Sequence, residues 1–353
     1  MLAKRPTATY SRKVPRPGDH LIPLSSLELR RCMNQPPNNV LETQHDRLAL
    51  EQLRQRLNQA LVGKSDVIEM VLTCLLAKGH LLFDDLPGLG KTTLAKAIAN
   101  GIGAKFARVQ CTPDLLPADI TGFNIFDQKD REFRFRPGPI FSDILLTDEI
   151  NRTTPRTQSA LFEAMAERQV TIDSQSMPLS PSFFVIATQN PVESHGAYPL
   201  PEAQLDRFTM RLSIGYPDRS FEMEMLARNI MEADESRNGA AAENGPVLSM
   251  GQLSRIQRQV AAVPVHEKLR GYLIDLCRET REHRDLPMGI SPRGAITWMK
   301  CAQAAAYLAN RNFVVPEDVQ RVAGAVLSLR LSPFSEKPES FVRKLLQLVP
   351  VPI

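Results

Sequence analysis

The segment Leu82-Phe83-Asp84-Asp85-Leu86-Pro87-Gly88-Leu89-Gly90-Lys91-Thr92-Thr93 runs out of a short apolar stretch into residues compatible with a helix. Two closely spaced glycines followed by a lysine and two hydroxyl residues, in that context, suit a backbone folded around a polyphosphate, the pattern of a Walker A loop. Gly88 and Gly90 let the chain aim N–H groups at the phosphates, the following helix N-terminus adds a favourable dipole, and Lys91 supplies a charge to the β and γ positions. Thr92 offers a hydroxyl to magnesium. The expected phosphate-binding stretch is therefore Asp85, Leu86, Pro87, Gly88, Leu89, Gly90, Lys91, Thr92 and Thr93. The general pattern has a glycine where Asp85 stands, so this carboxylate has to point away from the phosphates.

Further along, Ile144-Leu145-Leu146-Thr147-Asp148-Glu149 is an apolar run closed by two acids, as a Walker B segment is. Asp148 is expected to hold magnesium and Glu149 to orient and deprotonate the attacking water, because phosphoryl transfer depends on positioning and charge stabilisation. A third apolar run, Phe183 to Thr188, leads into Gln189-Asn190-Pro191. The amide of Asn190 can contact the water and the γ-phosphate without competing for the metal, although an Asn before Pro also serves as a simple turn former. Arg207, in Leu205-Asp206-Arg207-Phe208, suits either of two tasks: reaching the γ-phosphate held by a neighbouring subunit, or an intrachain salt bridge.

These residues need elements to hold them. Apolar runs at His80–Phe83, Phe106–Gln110, Asp143–Thr147, Phe183–Thr188 and Phe208–Ser213 are mostly separated by helix-length stretches, which predicts an α/β core around a mostly parallel five-stranded sheet. Leu48, Leu50, Leu53 and Leu57 predict a leading helix over His45–Ala60. After Tyr216 the pattern becomes helical, with helices expected at 221–231, 250–263, 267–282 and 292–311, a surface loop over 233–246, and a capped helix start at Val315-Pro316-Glu317-Asp318. The expected organisation is a tail over 1–45, a nucleotide-binding α/β core over 46–216 and an all-helical unit over 217–353.

Composition sets the outer limits. The chain has 353 residues with 43% hydrophobic and 23% charged, enough to bury a sizeable core. Residues 1–45 hold seven Lys and Arg against three Asp and Glu, so the whole formal net charge of +4 sits there and the rest of the chain balances. With six prolines and little apolar periodicity, that stretch is expected to be a mobile basic tail, serving solubility or a thin nucleic-acid contact. The balance over 46–353 makes nucleic acid an unfavoured partner. Five scattered cysteines without Cys-x-x-Cys spacing suggest reduced thiols rather than a disulfide framework or zinc site. No stretch approaches the roughly 18 apolar residues a membrane span needs, and no apolar leader precedes Pro15, so a cytoplasmic protein is expected.

Taken together the segments resemble the MoxR family of AAA+ ATPases. The likeness is carried by Val62-Gly63, Asp84–Thr92, Thr112-Pro113-Asp114-Leu115-Leu116-Pro117, Asp119-Ile120-Thr121-Gly122, Gly138-Pro139-Ile140-Phe141 and Asp148-Glu149-Ile150-Asn151-Arg152. It continues through Thr157–Leu161, Glu163-Ala164-Met165, Glu167–Thr171, Ala187–Pro191 and Tyr198–Phe208, and runs from about Leu48 to the C-terminal Val349-Pro350-Val351-Pro352. An acid at Asp84-Asp85 is typical of that family, whereas Lys64 replaces its usual Gln.

The resemblance implies an AAA+ P-loop NTPase core with a helical lid, ATP and magnesium as cofactors, and nucleotide-base contacts at Val62 and Gly63. It further implies a sensor 2 arginine at Arg293, acting within its own subunit or across to the next, and hairpins near Gly122–Arg136 and Val170–Pro178 directed at a central pore. The family also implies a homo-oligomeric, hexameric ring with chaperone-like action on a client protein, reached through a partner bearing a von Willebrand factor A domain. A nucleic-acid motor of a related clade is the competing expectation.

Overall fold

The computed structural model describes residues 38–190, 198–236, 245–283, 289–330 and 338–352. Its centre is a five-stranded sheet of β1 (Leu81–Asp84), β2 (Phe106–Gln110), β5 (Ile144–Asp148), β8 (Phe184–Gln189) and β9 (Met210–Leu212), in the order β2-β5-β8-β1-β9. Every neighbouring pair is parallel, with Leu81 opposite Ile186 and Met210, and Ile144 opposite Phe184 and Phe106. All five lie where the apolar runs predicted them, shifted by one or two residues at the ends.

Parallel strands covered on both faces read as continuous apolar runs, and the period of two then sorts their side chains. Leu81, Phe83, Ile144, Leu146, Phe184 and Ile186 join the core on one face. Leu82, Leu145, Val185 and Ala187 join that on the other. The first core is shared with the helices at Asn38–Ala60, Ser65–Leu76 and Lys91–Ile102 and with the C-terminal helices.

Two antiparallel hairpins interrupt the α/β alternation. β3 (Gly122–Asp127) pairs with β4 (Glu132–Pro137), and β6 (Gln169–Ile172) with β7 (Gln175–Pro178). Gly122 begins the first at φ +88°, where a Cβ would sit 2.3 Å from the Arg136 carbonyl oxygen. Asp173 and Ser174 turn the second with positive φ at both central positions, the geometry that matches strand twist. Asn124 donates to Asp173 at 2.6 Å and ties the two hairpins together. Phe123, Ile125, Phe126 and Phe133 of the first hairpin are exposed.

Beyond Tyr216 the described residues are helical: Arg219–Ser236, Met250–Ala261, Glu267–Glu282, Pro292–Leu308, Pro316–Leu327 and Pro338–Leu348. Local chemistry starts several of them. Ser249 and Gln252 form a capping box, Ser291 accepts from the Gly294 N–H, and Asp318 accepts from the Val315 N–H. Trp298 is fully buried and donates its indole N–H to the Val319 carbonyl at 2.8 Å. Asp46, fully buried, accepts a bidentate pair of bonds from Arg255 and so fastens the leading helix to the 250–261 helix.

Three expectations differ in extent. The leading helix starts at Asn38 rather than His45. The 219–236 helix runs on into the stretch read as a loop from residue 233; the rest of that loop as far as 244, like most of the 1–45 tail and Pro191, lies outside the described residues. The final helix over Pro338–Leu348 was not read from the sequence at all. Cys74, Cys111, Cys277 and Cys301 are buried and free. Burial pushes Cys111 and Cys301 up to about 12 and Cys277 to about 11, so these thiols stay protonated. Among the described residues no helix is long and apolar enough to cross a membrane.

Candidate nucleotide-hydrolysis site

β1, β5 and β8 deliver Asp84, Asp148 and Gln189 to the same sheet edge, the carboxyl ends where open α/β sheets bind ligands. There the loop after β1 wraps a cavity of about 400 Å³ lined by Asp85, Pro87, Gly88, Gly90, Lys91, Thr92, Thr93, Arg108, Gln110, Asp148, Glu149, Thr188, Gln189 and Asn190. Gly90 caps the Lys91–Ile102 helix at φ +91°, and a Cβ on it would meet Leu61 at 2.8 Å. Only glycine tolerates both constraints at low cost.

Asp85 explains how the loop does without its usual first glycine. The carboxylate is buried and accepts from Ser213 Oγ at 2.6 Å, the Ile214 N–H at 2.7 Å and the Gly215 N–H at 3.2 Å. These bonds offset the cost of burying the charge and turn it toward the chain after β9. Asp84 forms an ion pair with Arg211 of β9. Both acids thus brace the loop against the last strand.

Lys91 donates its ammonium protons to the carbonyl oxygens of Asp85 at 2.9 Å and Leu86 at 2.8 Å. Burial lowers its pKa from the usual lysine value, opposed by the negative field of Asp85, Asp148, Asp84 and Glu149. Thr92 and Thr93 follow it along the cavity wall.

On the opposite wall, Asp148 is buried beside Thr188 and meets Arg108, whose Nε lies 2.7 Å from a carboxylate oxygen. Glu149 sits in the left-handed region at φ 58°, ψ 49°, a costly conformation for a non-glycine residue. Its N–H donates to Thr188 Oγ1 at 2.9 Å, and its carboxylate accepts from Gln110 Nε2 at 3.0 Å and pairs with Arg152 at 3.1 Å. Asn190, nearly buried, ends the third wall.

One carboxylate and one hydroxyl, Asp148 and Thr92, are too few for an all-protein cage, and the described residues hold no group of three or more His, Cys, Asp or Glu suited to a metal. Magnesium is bound in this sparse way, through one or two oxygen ligands plus phosphates and water, so the donor set fits it.

A second cavity of about 230 Å³ adjoins the loop and is walled by Ala60, Leu61, Val62, Leu89, Ile214, Pro217 and Met225 among others, with Lys64 at its margin donating to the Tyr216 carbonyl at 2.8 Å. Its apolar walls suit a purine face. Val62 lines it. Gly63, between Val62 and Lys64, lies at φ +75° under Phe221, whose ring a Cβ would meet at 2.4 Å, so only glycine fits there.

Arg207 and Arg293 line neither cavity. Arg207 donates to the Ala203 carbonyl at 2.7 Å, lies 5.8 Å from the Phe162 ring centroid, and keeps Nε buried without a hydrogen-bond partner. Arg293 is exposed at the second position of the Pro292–Leu308 helix. Sequence reasoning missed Arg108, Gln110, Arg152 and Thr188. The signal for the first two is the β2 alternation, which puts Arg108 and Gln110 on one face and buried Val109 on the other.

Comparison with known proteins bears on the family and the fold. Residues 80–210 match the model for the ATPase family associated with various cellular activities, and residues 278–346 that for an AAA lid domain. The uncharacterized YeaC protein of Bacillus subtilis is 44% identical over 305 residues, covering 85% of this chain and 93% of the relative. The chaperone MoxR1 of Mycobacterium tuberculosis is 36% identical over 318 residues, covering 86% and 82%. A crystal structure from Cytophaga hutchinsonii, described as a candidate ATPase, superposes with a TM-score of 0.79 at 32% identity, covering 93% of this chain and all of the other.

Proposed function

The chain belongs to the MoxR family of AAA+ ATPases, and from that membership we propose that it hydrolyses ATP as a chaperone-like ring that remodels, matures or assembles a client protein. The observation that carries this reading is the convergence of Lys91, Thr92, Asp148, Glu149 and Asn190 on one cavity at the sheet edge.

The residues divide the work as follows. Lys91 exchanges the carbonyls of Asp85 and Leu86 for β and γ phosphate oxygens. Thr92 and Asp148 would hold magnesium, which would supply charge to neutralise the phosphates. Glu149 takes the proton of the attacking water while Asn190 orients that water. The water oxygen bonds to the γ phosphorus as its bond to the bridging oxygen breaks, leaving ADP and phosphate. The apolar cavity at Val62 takes the base.

Arg207 stands outside its own chain's cavity, which supports action on the nucleotide of the adjacent subunit and hence a homo-oligomer, in this family a hexamer. Residues 46–216 serve as the ATP-binding core, 217–353 as the lid and 1–45 as a tail, in the cytoplasm. Exposed Phe123 and Ile125 on one face of the first hairpin, and the paired Phe126 and Phe133 on the other, give its two faces apolar side chains for an unfolded or loosely folded client. Delivery through a von Willebrand factor A partner follows from the family alone.

A nucleic-acid motor is the alternative, and the basic residues Lys129, Arg131, Arg134 and Arg136 of the same hairpin favour it. Arg134, however, is spent on Asp127 and Asp130, and the adjacent acids cancel much of the field.

The test is ATP hydrolysis against protein concentration, with light scattering for mass, on the wild type and Glu149→Gln. Turnover that rises cooperatively with assembly and vanishes in the variant is expected. Activity proportional to concentration in a monomer overturns the ring, and no activity at any assembly state overturns the ATPase. DNA-stimulated turnover that survives removal of residues 1–37 transfers the assignment to the motor.

A further inference from the structure

Asp206, immediately before Arg207, is where three segments meet. One carboxylate oxygen accepts from Arg330 Nε at 2.8 Å and the other from Ser291 Oγ at 3.1 Å. Ser291 is the N-cap of the Pro292–Leu308 helix, whose second residue is Arg293. Arg330 follows the Pro316–Leu327 helix, is 5% exposed, and donates from its two terminal nitrogens to the carbonyls of Val326 at 2.9 Å and Phe208 at 3.4 Å. Every nitrogen of this guanidinium is therefore engaged, and two of its partners flank Arg207 in sequence.

A second observation shows that the sequence makes room for this joint. Gly294 lies in the first turn of the Pro292–Leu308 helix, and a Cβ there would sit 2.7 Å from Arg330 Nε and 2.9 Å from the Ile290 side chain. Glycine within a helix sacrifices backbone entropy; here its bare Cα lets the guanidinium cross the helix start to reach Asp206. Burial lowers the Arg330 pKa from its ordinary value and the Asp206 charge opposes the shift, so the carboxylate is what keeps a buried cation matched. Among the described residues, Arg207's own guanidinium meets the Ala203 carbonyl and the Phe162 ring. Its tie to the lid runs through the backbone of Asp206.

We propose that Asp206 is a positioning residue which, through Arg330 and Ser291, locks the turn carrying Arg207 to the helix start carrying Arg293, so that the two arginines move as one unit. The inference rests on the arginine roles given above. Lid movement on nucleotide binding or release then repositions Arg207 directly, because a buried guanidinium bonded through all three of its nitrogens has few alternative arrangements.

The experiment measures kcat, KM and the affinity for a fluorescent ATP analogue on the assembled full chain, for wild type, Asp206→Asn, Arg207→Ala and the double variant. Misplacing a catalytic group costs on the order of tenfold to a hundredfold in rate. Asp206→Asn is expected to lose that much kcat, with analogue affinity and ring mass unchanged, and the double variant is expected to be no slower than Arg207→Ala alone. Losses that multiply in the double variant, or wild-type kcat in Asp206→Asn with only a lowered melting temperature, overturn the joint. If Asp206→Asn does not fold, Arg330→Lys, which keeps the charge and loses the fork of donors, is read the same way: reduced kcat at unchanged affinity supports the joint and wild-type kcat overturns it. The two levels of failure separate. A wild-type rate in Arg207→Ala sinks the arginine assignment itself, whereas a dead Arg207→Ala beside fully active Asp206→Asn and Arg330→Lys sinks the joint alone.

Discussion

Arg108 holds its Nε 2.7 Å from Asp148, so the acid at the end of β5 is answered by a guanidinium carried on β2. The same carboxylate is the one proposed to take magnesium, and the two cations compete for it. Arg108 is half exposed, which places the pair among ion pairs contributing no more than about 1 kcal/mol. Arg108→Ala is therefore expected to lower the magnesium concentration that half-saturates nucleotide-dependent fluorescence, by up to about fivefold. An unchanged or raised midpoint shows that Arg108 does not occupy the metal's acid.

Asp85 yields a prediction that runs against the motif. Replacing it with glycine restores the general loop pattern, yet leaves the Ile214 and Gly215 N–H groups and Ser213 without their acceptor. Unsatisfied buried donors cost about 1–3 kcal/mol. Asp85→Gly is expected to lose stability in denaturant titration and to bind ATP more weakly, because both the loop and the wall of the base cavity loosen. A variant as stable as wild type with tighter ATP binding refutes the bracing role.

Lys91 and Glu149 should separate binding from chemistry. Lys91→Ala removes the charge that meets the phosphates and is expected to weaken ATP binding at equilibrium. Glu149→Gln keeps the shape and hydrogen-bonding reach of the side chain but cannot accept a proton, so ATP should stay bound while turnover falls by about two orders of magnitude or more. Equal loss of affinity in both, seen by isothermal titration, contradicts this division.

His80 predicts an acid-side loss of stability. It is buried between the Met165 carbonyl, 3.2 Å from Nε2, and the Val185 N–H, 3.0 Å from Nδ1. The second bond makes Nδ1 the acceptor and leaves the proton on Nε2. Burial lowers its pKa from 6.5 to about 4. The unfolded chain therefore binds the extra proton first: the stabilisation is complete above pH 6.5 and is lost as pH falls toward 4, by about 3 kcal/mol in all. His80→Gln should flatten that part of the stability–pH curve, and an unaltered slope would assign the acid sensitivity elsewhere.

Much of this was legible in the sequence because local patterns encode it. The five strands appear as short apolar runs, since a parallel strand covered on both faces leaves no polar alternation. Lys91 and Asp148-Glu149 appear because each closes or follows a strand, which puts it at the sheet edge whatever the strand order. The 338–348 helix is short, and the burial of Phe341, Val342 and Leu345 in the core shared with the other C-terminal helices supplies what the segment lacks alone. That Gly63 lies under Phe221 has no local signal, because the ring comes from the Arg219–Ser236 helix, far along the chain.

What the sequence determined by itself was the set of elements and the residues at their ends, because strand periodicity, helix caps and a glycine-lysine turn are short-range physics. Which of those ends face one another was decided only in three dimensions. The strand order β2-β5-β8-β1-β9 is not the chain order, so nothing local indicates that Arg108 faces Asp148, that Asp85 is paired with the backbone after β9, or that Arg330 crosses Gly294 to reach Asp206. Each of those pairings sets a charge against residues distant in the chain. A buried charge takes the partner that the packed core brings within hydrogen-bonding reach, and that reach exists only once the sheet and the helices have closed around it.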